Sequence, residues 1–282
     1  MPDDVLAKYG ADALRLWAAK GRIGTDLRYN EKDVRTGRKF AVKLWNVGRF
    51  LSINLGGFGA AAPAPPPGER DIVDRWVLSY LAEAIGEATA AFEAYDYMQA
   101  HQAASRMFWS IYCDRYIEMI KDRVGDGAGP DSTDPDYPDS TGRDSARWTL
   151  WESFRVLLGL FAPFAPFVTE HMYQRFYRVR EDAVSLHLTP WPAADPRWVS
   201  DRSAVDQLAV ILDATRVLRS GLRLGNSARL AELIVQPHDA PAEALLDQIA
   251  DPLRVAARAD EVVRGPAEHA SGVDGITVGI IP

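Results

Sequence analysis

Residues 31–55, EKDVRTGRKFAVKLWNVGRFLSINL, decide the fold, because one helix accounts for two faces of opposite character. At about 100° per residue, Phe40, Leu44, Val47, Leu51 and Leu55 fall in one narrow apolar sector, as in a helix laid against a core. Lys32, Lys39, Lys43 and Asn46 line up roughly a quarter turn away, with Arg35 and Arg49 beside them. Phe50 falls on that basic line. Cations that neutralise phosphates, with a ring offering its face to an unpaired base, suit RNA recognition, a stack being worth about 1–3 kcal/mol. The bland alternative is a solvated basic face with Phe50 under a neighbouring helix.

Working outward, the pattern predicts a helix from Asp3 to Lys20, capped by Asp3 or Asp4, and a loop around GRIGTDLRYN. After the basic helix, APAPPPGE near Ala62 to Glu69 is a stiff linker. Helices are expected over Arg70 to Ala94, with Trp76, Tyr80, Ala84 and Ala88 among its periodic positions, and over Asp96 to Val124. Another spans Ser145 to Phe161; Pro163 and Pro166 break it before Thr169 to Val179 resumes. These long helices joined by loops predict a mainly α, antiparallel helical bundle over residues 31–200. From Asp201 the pattern changes to a helix ending near Leu224, strand-like LAELIVQ, a helix from Ala242 to Ala259, EVVRG and alternating ITVGII. Residues 201–282 are thus expected to form a small C-terminal α/β unit.

The net charge of −7 argues against nucleic acid only as an average. From Arg15 to Arg49 ten cations, Arg28 and Arg38 among them, face three acids, Asp26, Glu31 and Asp33. Arg216, Arg219, Arg223 and Arg229 form a second patch, the first three at helical spacing on one predicted face. The compensating acids concentrate in GDGAGPDSTDPDYPDSTGRD, residues 125–144, read as a flexible acidic loop. Such polarity would hold RNA on one side and repel it elsewhere.

Catalytic and metal signals are weak. Cys113 is the single cysteine, so an internal disulfide is impossible, and IYCDRYI suits a buried thiol better than a nucleophile. His101, His171, His187, His238 and His269 lack metal-ligand spacing, and Glu170 and His171 are adjacent rather than on one helix face. Asp114 and Glu118 bracket Arg115, which suggests a surface ion network rather than an acid and base pair. Trp191, between Pro190 and Pro192, reads as a packed loop anchor. No phosphate-binding glycine motif occurs, and no run has membrane length. The start PDDVLAKYG is polar, without a signal peptide, so a cytoplasmic chain is expected.

The ordered series YGADALR (Tyr9 to Arg15), GTDLRYNE (Gly24 to Glu31), RKFAVKLWN (Arg38 to Asn46), WSIYCDRYIEMIKDR, LLGLFAPFAPFVTEHMY, SLHLTPWP and TRVLRSGLRL resembles the valyl-tRNA synthetases over nearly the whole chain. The leucyl and isoleucyl enzymes share the APFAPF and PWP-like signals, and their equivalent domain is the alternative; KLWN with GTDLRYNE favours valyl. The resemblance implies a connector after the lysine signature loop over residues 1–30, then the helical anticodon-binding domain and a C-terminal appendage. It also implies binding of the anticodon stem-loop of valine tRNA, with catalytic and editing domains elsewhere as partners. The His-Ile-Gly-His-like signature and lysine loop do not occur, so this segment alone is expected to be inactive. No cofactor is expected in it, whereas the complete enzyme uses ATP and magnesium. The expected tRNA contacts are Arg28, Lys32, Arg35, Lys39, Lys43, Asn46, Arg49 and Phe50, with Arg216, Arg219 and Arg223 toward the tRNA body. No heptad run follows TRVLRSGLRL, unlike relatives that end in a basic coiled coil. A cut piece of a longer enzyme and a free-standing paralogue acting as an interaction module both remain open.

Overall fold

The computed structural model describes residues 2–55, 64–124, 140–225, 228–266, 270–273 and 275–282. The acidic stretch 125–139, His269 and the start of the APAPPPGE linker lie outside the described residues.

The expected first helix is two, α1 (Pro2–Tyr9) and α2 (Ala11–Ala18). Gly10 between them has φ +84°, which an L side chain rarely adopts and a continuous helix cannot contain. The basic helix α3 (Glu31–Asn54) runs as predicted and is capped by Asn30, whose side chain accepts from Lys32 N at 3.0 Å. α4 (Ile72–Glu93) is capped by Asp71. α5 (Tyr97–Arg106) continues through a π-helical stretch, Met107–Tyr116, into α6 (Ile117–Val124). α7 (Ser140–Phe161) starts earlier than predicted, so residues 140–144, read as loop, are helical. α8 (Pro166–Phe176) also starts early, with Pro166 inside its first turn, where the missing N–H costs nothing.

The core is aromatic, and α3 packs on it through Phe40. Phe40 meets Phe161 of α7 at 4.4 Å and Phe108 of the π-helical stretch at 5.1 Å between ring centroids. Two glycines let α3 sink between its neighbours. A Cβ on Gly37 would lie 2.6 Å from Ala13 O of α2, and one on Gly48 would lie 2.7 Å from Met172 Sδ of α8. Buried Asp74 of α4 accepts from Ser145 Oγ at 2.6 Å and Tyr116 Oη at 2.9 Å and pairs with Arg123 at 2.7 Å. Arg123 also reaches Asp71 at 2.7 Å. Trp191 anchors its loop, donating to Thr89 Oγ1 at 2.9 Å.

α9 (Ser203–Gly221) is pinned to α4 through Asp206, which accepts from Trp76 Nε1 at 2.8 Å and Tyr80 Oη at 2.9 Å. The α/β unit follows as β1 (Leu230–Pro237), α10 (Ala240–Ala257), β2 (Ala259–Arg264), β3 (Ala270–Val273) and β4 (Ile276–Ile281). The sheet order is β2-β1-β4-β3. β1 and β2 are parallel, joined by α10 as crossover, and β4 is antiparallel to both β1 and β3. Leu246, Ile249, Leu253 and Ala257 of α10 are buried, as are Leu230, Leu233 and Val235 of β1. β3 has no counterpart in the sequence reading, because SGV carries too little alternation to signal a strand.

Candidate nucleic-acid interface

The first turn of α3 is acidic, and those acids are occupied locally. Glu31 takes Lys8 Nζ at 2.7 Å, which pushes its pKa below the usual carboxylate range through the hydrogen bonds from Lys8 and Tyr9. Asp33 takes Lys20 Nζ at 3.2 Å, and Arg38 donates to Lys8 O at 3.0 Å. Further along, Lys39 and Arg49 stand exposed with Arg35, and none of the three makes an ion pair among the described residues. The helix therefore separates charge along its length, with paired acids at its start and open cations beyond.

The open face is centred about a fifth of a turn from the predicted basic line, on Arg35, Val42, Asn46 and Arg49. Lys32 and Lys39 are exposed at its edge. Lys43 is half-buried and lines a cleft of about 490 Å³ with Ser110, Cys113, Asp114, Arg115 and Arg216. Phe50 is half-buried and packs against the core, so it does not offer a free ring face at the centre of the surface. Trp45 stands at the opposite edge of that surface, beside Arg49, 46 % exposed and stacked on His171 of α8 with centroids 5.4 Å apart and planes 28° from parallel. Of its helical neighbours Ala41, Val42, Gly48 and Arg49 only the last is polar, so spacing alone does not mark Trp45 as an exposed ring. Arg28 and Tyr29 are exposed in the loop leading into α3, where Tyr29 stands edge-on to Trp17 at 5.6 Å.

The second basic patch does not form a single face. Arg219 is 4 % exposed and turned inward, Nη2 donating to Ala228 O at 2.9 Å and Ala257 O at 2.6 Å. It ties α9 to the α/β unit and is corrected from RNA contact to structural residue. Arg216 pairs with Asp213 at 2.7 Å, Arg229 pairs with Asp260, and Arg223 lies beyond the end of α9 with φ +57°. The network around Arg115 also differs from the sequence reading. Arg115 pairs with Asp213 of α9 at 3.3 Å, and Glu118 pairs with Lys121 at 2.7 Å.

Cys113 is buried, and burial pushes its thiol up to about 12, so it stays protonated. His101 is held neutral, with burial lowering its pKa to about 4. Among the described residues no cluster of His, Cys, Asp and Glu has metal-binding geometry. Among the same residues no helix is long and apolar enough to cross a membrane.

The family model of the anticodon-binding domain of tRNA ligase matches residues 74–235. The valine–tRNA ligase of Thermobifida fusca is 34 % identical over 238 residues, which is 83 % of this chain and 25 % of that protein. The valine–tRNA ligase of Haloarcula marismortui is 32 % identical over 255 residues, covering 90 % of this chain and 26 % of that one. That of Methanothermobacter thermautotrophicus is 34 % identical over 260 residues, covering 90 % and 27 %. The chain thus spans about a quarter of the length of the curated relatives it matches. Among solved structures, the LeuRS-tRNA-LeuAMS ternary complex of Agrobacterium radiobacter superposes with a TM-score of 0.51 at 19 % identity, over 71 % of this chain and 22 % of that one. At that identity the likeness concerns the fold.

Proposed function

The chain belongs to the anticodon-binding domain family of tRNA ligases, and from that premise we propose that it is the tRNA-recognition part of a valine–tRNA ligase. In this reading the outer face of α3 receives the anticodon stem-loop of valine tRNA. Arg35, Lys39 and Arg49 contact phosphates, Arg28 and Lys32 extend the contact toward the loop before α3, and Trp45 stacks on an unpaired base. Asn46, exposed between Lys39 and Arg49, is placed to read a base edge by hydrogen bonding. Binding here positions the far end of the tRNA for chemistry performed elsewhere. Adenylation of valine with ATP and magnesium, and editing, are assigned to the remaining three quarters of the parent enzyme.

The observation that carries this reading is the combination, on one exposed helix face, of cations without ion pairs and an exposed, stacked indole. It is tested by filter binding at low salt with valine and isoleucine tRNAs. The expected result is weak binding that favours valine tRNA, with no valine-dependent pyrophosphate exchange by this chain alone. Equal retention of both tRNAs would remove the valine assignment, and no retention at low salt would remove the interface.

A further inference from the structure

α3 and α8 lie side by side with their residues at matching levels. Ala41 and Phe167 line one cleft of about 340 Å³ with Tyr9, Ala11 and Asp12. Four residues further along each helix, Trp45 stacks on His171. The helices still touch beyond that level, since a Cβ on Gly48 would lie 2.7 Å from Met172 Sδ and 3.0 Å from Phe176. Another four residues bring Arg49 and Arg175. The row of Ala41, Trp45 and Arg49 and the row of Phe167, His171 and Arg175 therefore flank one groove about 12 Å long.

The groove changes character along its length. At the cleft end Phe167 is 67 % exposed, and the Asp12 carboxylate is spent on the N–H groups of Phe167 and Val168. Trp45 and His171 supply an aromatic pair in the middle. At the far end Arg49 and Arg175 are exposed and make no ion pair among the described residues. The carboxylates nearest to Arg175 in sequence are engaged elsewhere, Glu170 by Ser185 Oγ and Leu186 N, and Glu181 by Arg155.

We propose that this groove takes a run of two unpaired RNA nucleotides, one base in the cleft against Phe167, the next on the Trp45 and His171 pair, and the adjoining phosphate between Arg49 and Arg175. Rings that offer their faces to bases and cations that track the backbone are together what single-stranded RNA requires. The open guanidinium groups at one end select a phosphate-bearing ligand over an apolar peptide. The cleft lies at the lower end of the ~300–1,000 Å³ range of small-molecule sites, room for one base. With α3 read as a tRNA contact, on which this rests, the groove adds Phe167, His171 and Arg175 of α8 to the RNA surface.

The test is valine tRNA binding across a salt series, with a melting curve of each protein, for the wild type, Phe167→Ala, Phe167→Tyr, Arg175→Ala and, on the opposite edge of α3, Lys39→Ala. Phe167→Ala should weaken binding about tenfold at every salt concentration with the slope unchanged, because it removes a stack and no charge. Phe167→Tyr, which keeps a ring, should bind as the wild type does. Arg175→Ala should make the log–log slope shallower by about one contact. None of the three α8 variants should move the Tm, since both side chains are exposed. Undiminished affinity in Phe167→Ala, or an unchanged slope in Arg175→Ala, overturns the groove, and the α3 reading stands if Lys39→Ala is still shallower. A wild type that does not bind tRNA at low salt removes the α3 reading and the groove together.

Discussion

The Asp12 carboxylate accepts the backbone N–H of Val168 at 2.7 Å, capping α8 from a residue of α2 that lies 156 positions earlier. Its other oxygen accepts from Phe167 N at 3.2 Å. α8 needs this, since its own N-cap residue, Ala165, has no side-chain acceptor. Three residues after Asp12, Arg15 Nη2 donates to Pro163 O at 2.7 Å. YGADALR and APFAPFV, two segments singled out separately in the sequence, are thereby two halves of one joint.

Asp12→Ala should lower stability by about 1–2 kcal/mol through the lost cap, and Asp12→Asn, which keeps one acceptor, should recover part of it. Urea unfolding of the three proteins measures this. A wild-type midpoint in Asp12→Ala would mean that water caps α8 equally well.

Trp45→Ala should weaken tRNA binding by about 1–3 kcal/mol while moving the thermal midpoint little, since nearly half of the indole is already in solvent. Phe50→Ala should act in the opposite sense. Its ring packs against the core, so the midpoint should fall, by somewhat less than the ~3–5 kcal/mol of a fully buried ring. Binding isotherms and melting curves on both variants decide which ring the RNA meets. If Phe50→Ala weakens binding at unchanged stability and Trp45→Ala does not, the assignment reverses.

Because Arg35, Lys39 and Arg49 are free of ion pairs among the described residues, log affinity for tRNA should fall linearly with log salt. Arg35→Ala or Lys39→Ala should each make the slope shallower by about one contact without changing which tRNA is preferred. Arg219→Lys, altering a buried structural guanidinium, should instead lower the melting temperature with the slope intact. A slope unaltered by Lys39→Ala would place that lysine on a bystander surface.

Two buried groups give opposing pH dependence. Burial holds the His101 pKa near 4, below its unfolded value, so its contribution is fully present above about pH 6.5 and is lost as pH falls toward 4. Asp74 is raised to about 6, mainly by burial, so the folded state takes up its proton first and stability from this group is lost as pH rises from about 4 to 6. The two slopes largely cancel between pH 4 and 6. His101→Gln should therefore be relatively more stable at pH 5 than at pH 7 when each is referred to wild type, by the order of 1–3 kcal/mol. Asp74→Asn should show the reverse trend. Denaturant unfolding at the two pH values checks both signs, and parallel profiles for wild type and His101→Gln would show that the imidazole charges freely in the fold.

Much of the fold was legible because it rests on period. The apolar sector of Phe40, Leu44, Val47 and Leu51 repeats too regularly to belong to anything but a packed helix, and all four are buried. Gly10 was not legible as a break, since the periodic residues Leu6, Ala13 and Leu16 continue across it and only a positive φ reveals the interruption. The site was partly legible. Spacing located the cations of α3, but an ideal wheel cannot say which edge of the polar arc a neighbouring helix covers, and half-buried Lys43 and Phe50 fall on that edge. Spacing puts Arg216, Arg219 and Arg223 on one predicted face. What no spacing gives is that the α/β unit packs over Arg219 and turns it inward.

Arg123 and Ser145, which both bind the buried carboxylate of Asp74, fix the two ends of the chain between α6 and α7 to a single point inside the bundle. One buried carboxylate thus sets the register of two helices: the last turn of α6 and the first turns of α7 are referred to the same point on α4, so a shift of either helix has to break a bond to Asp74.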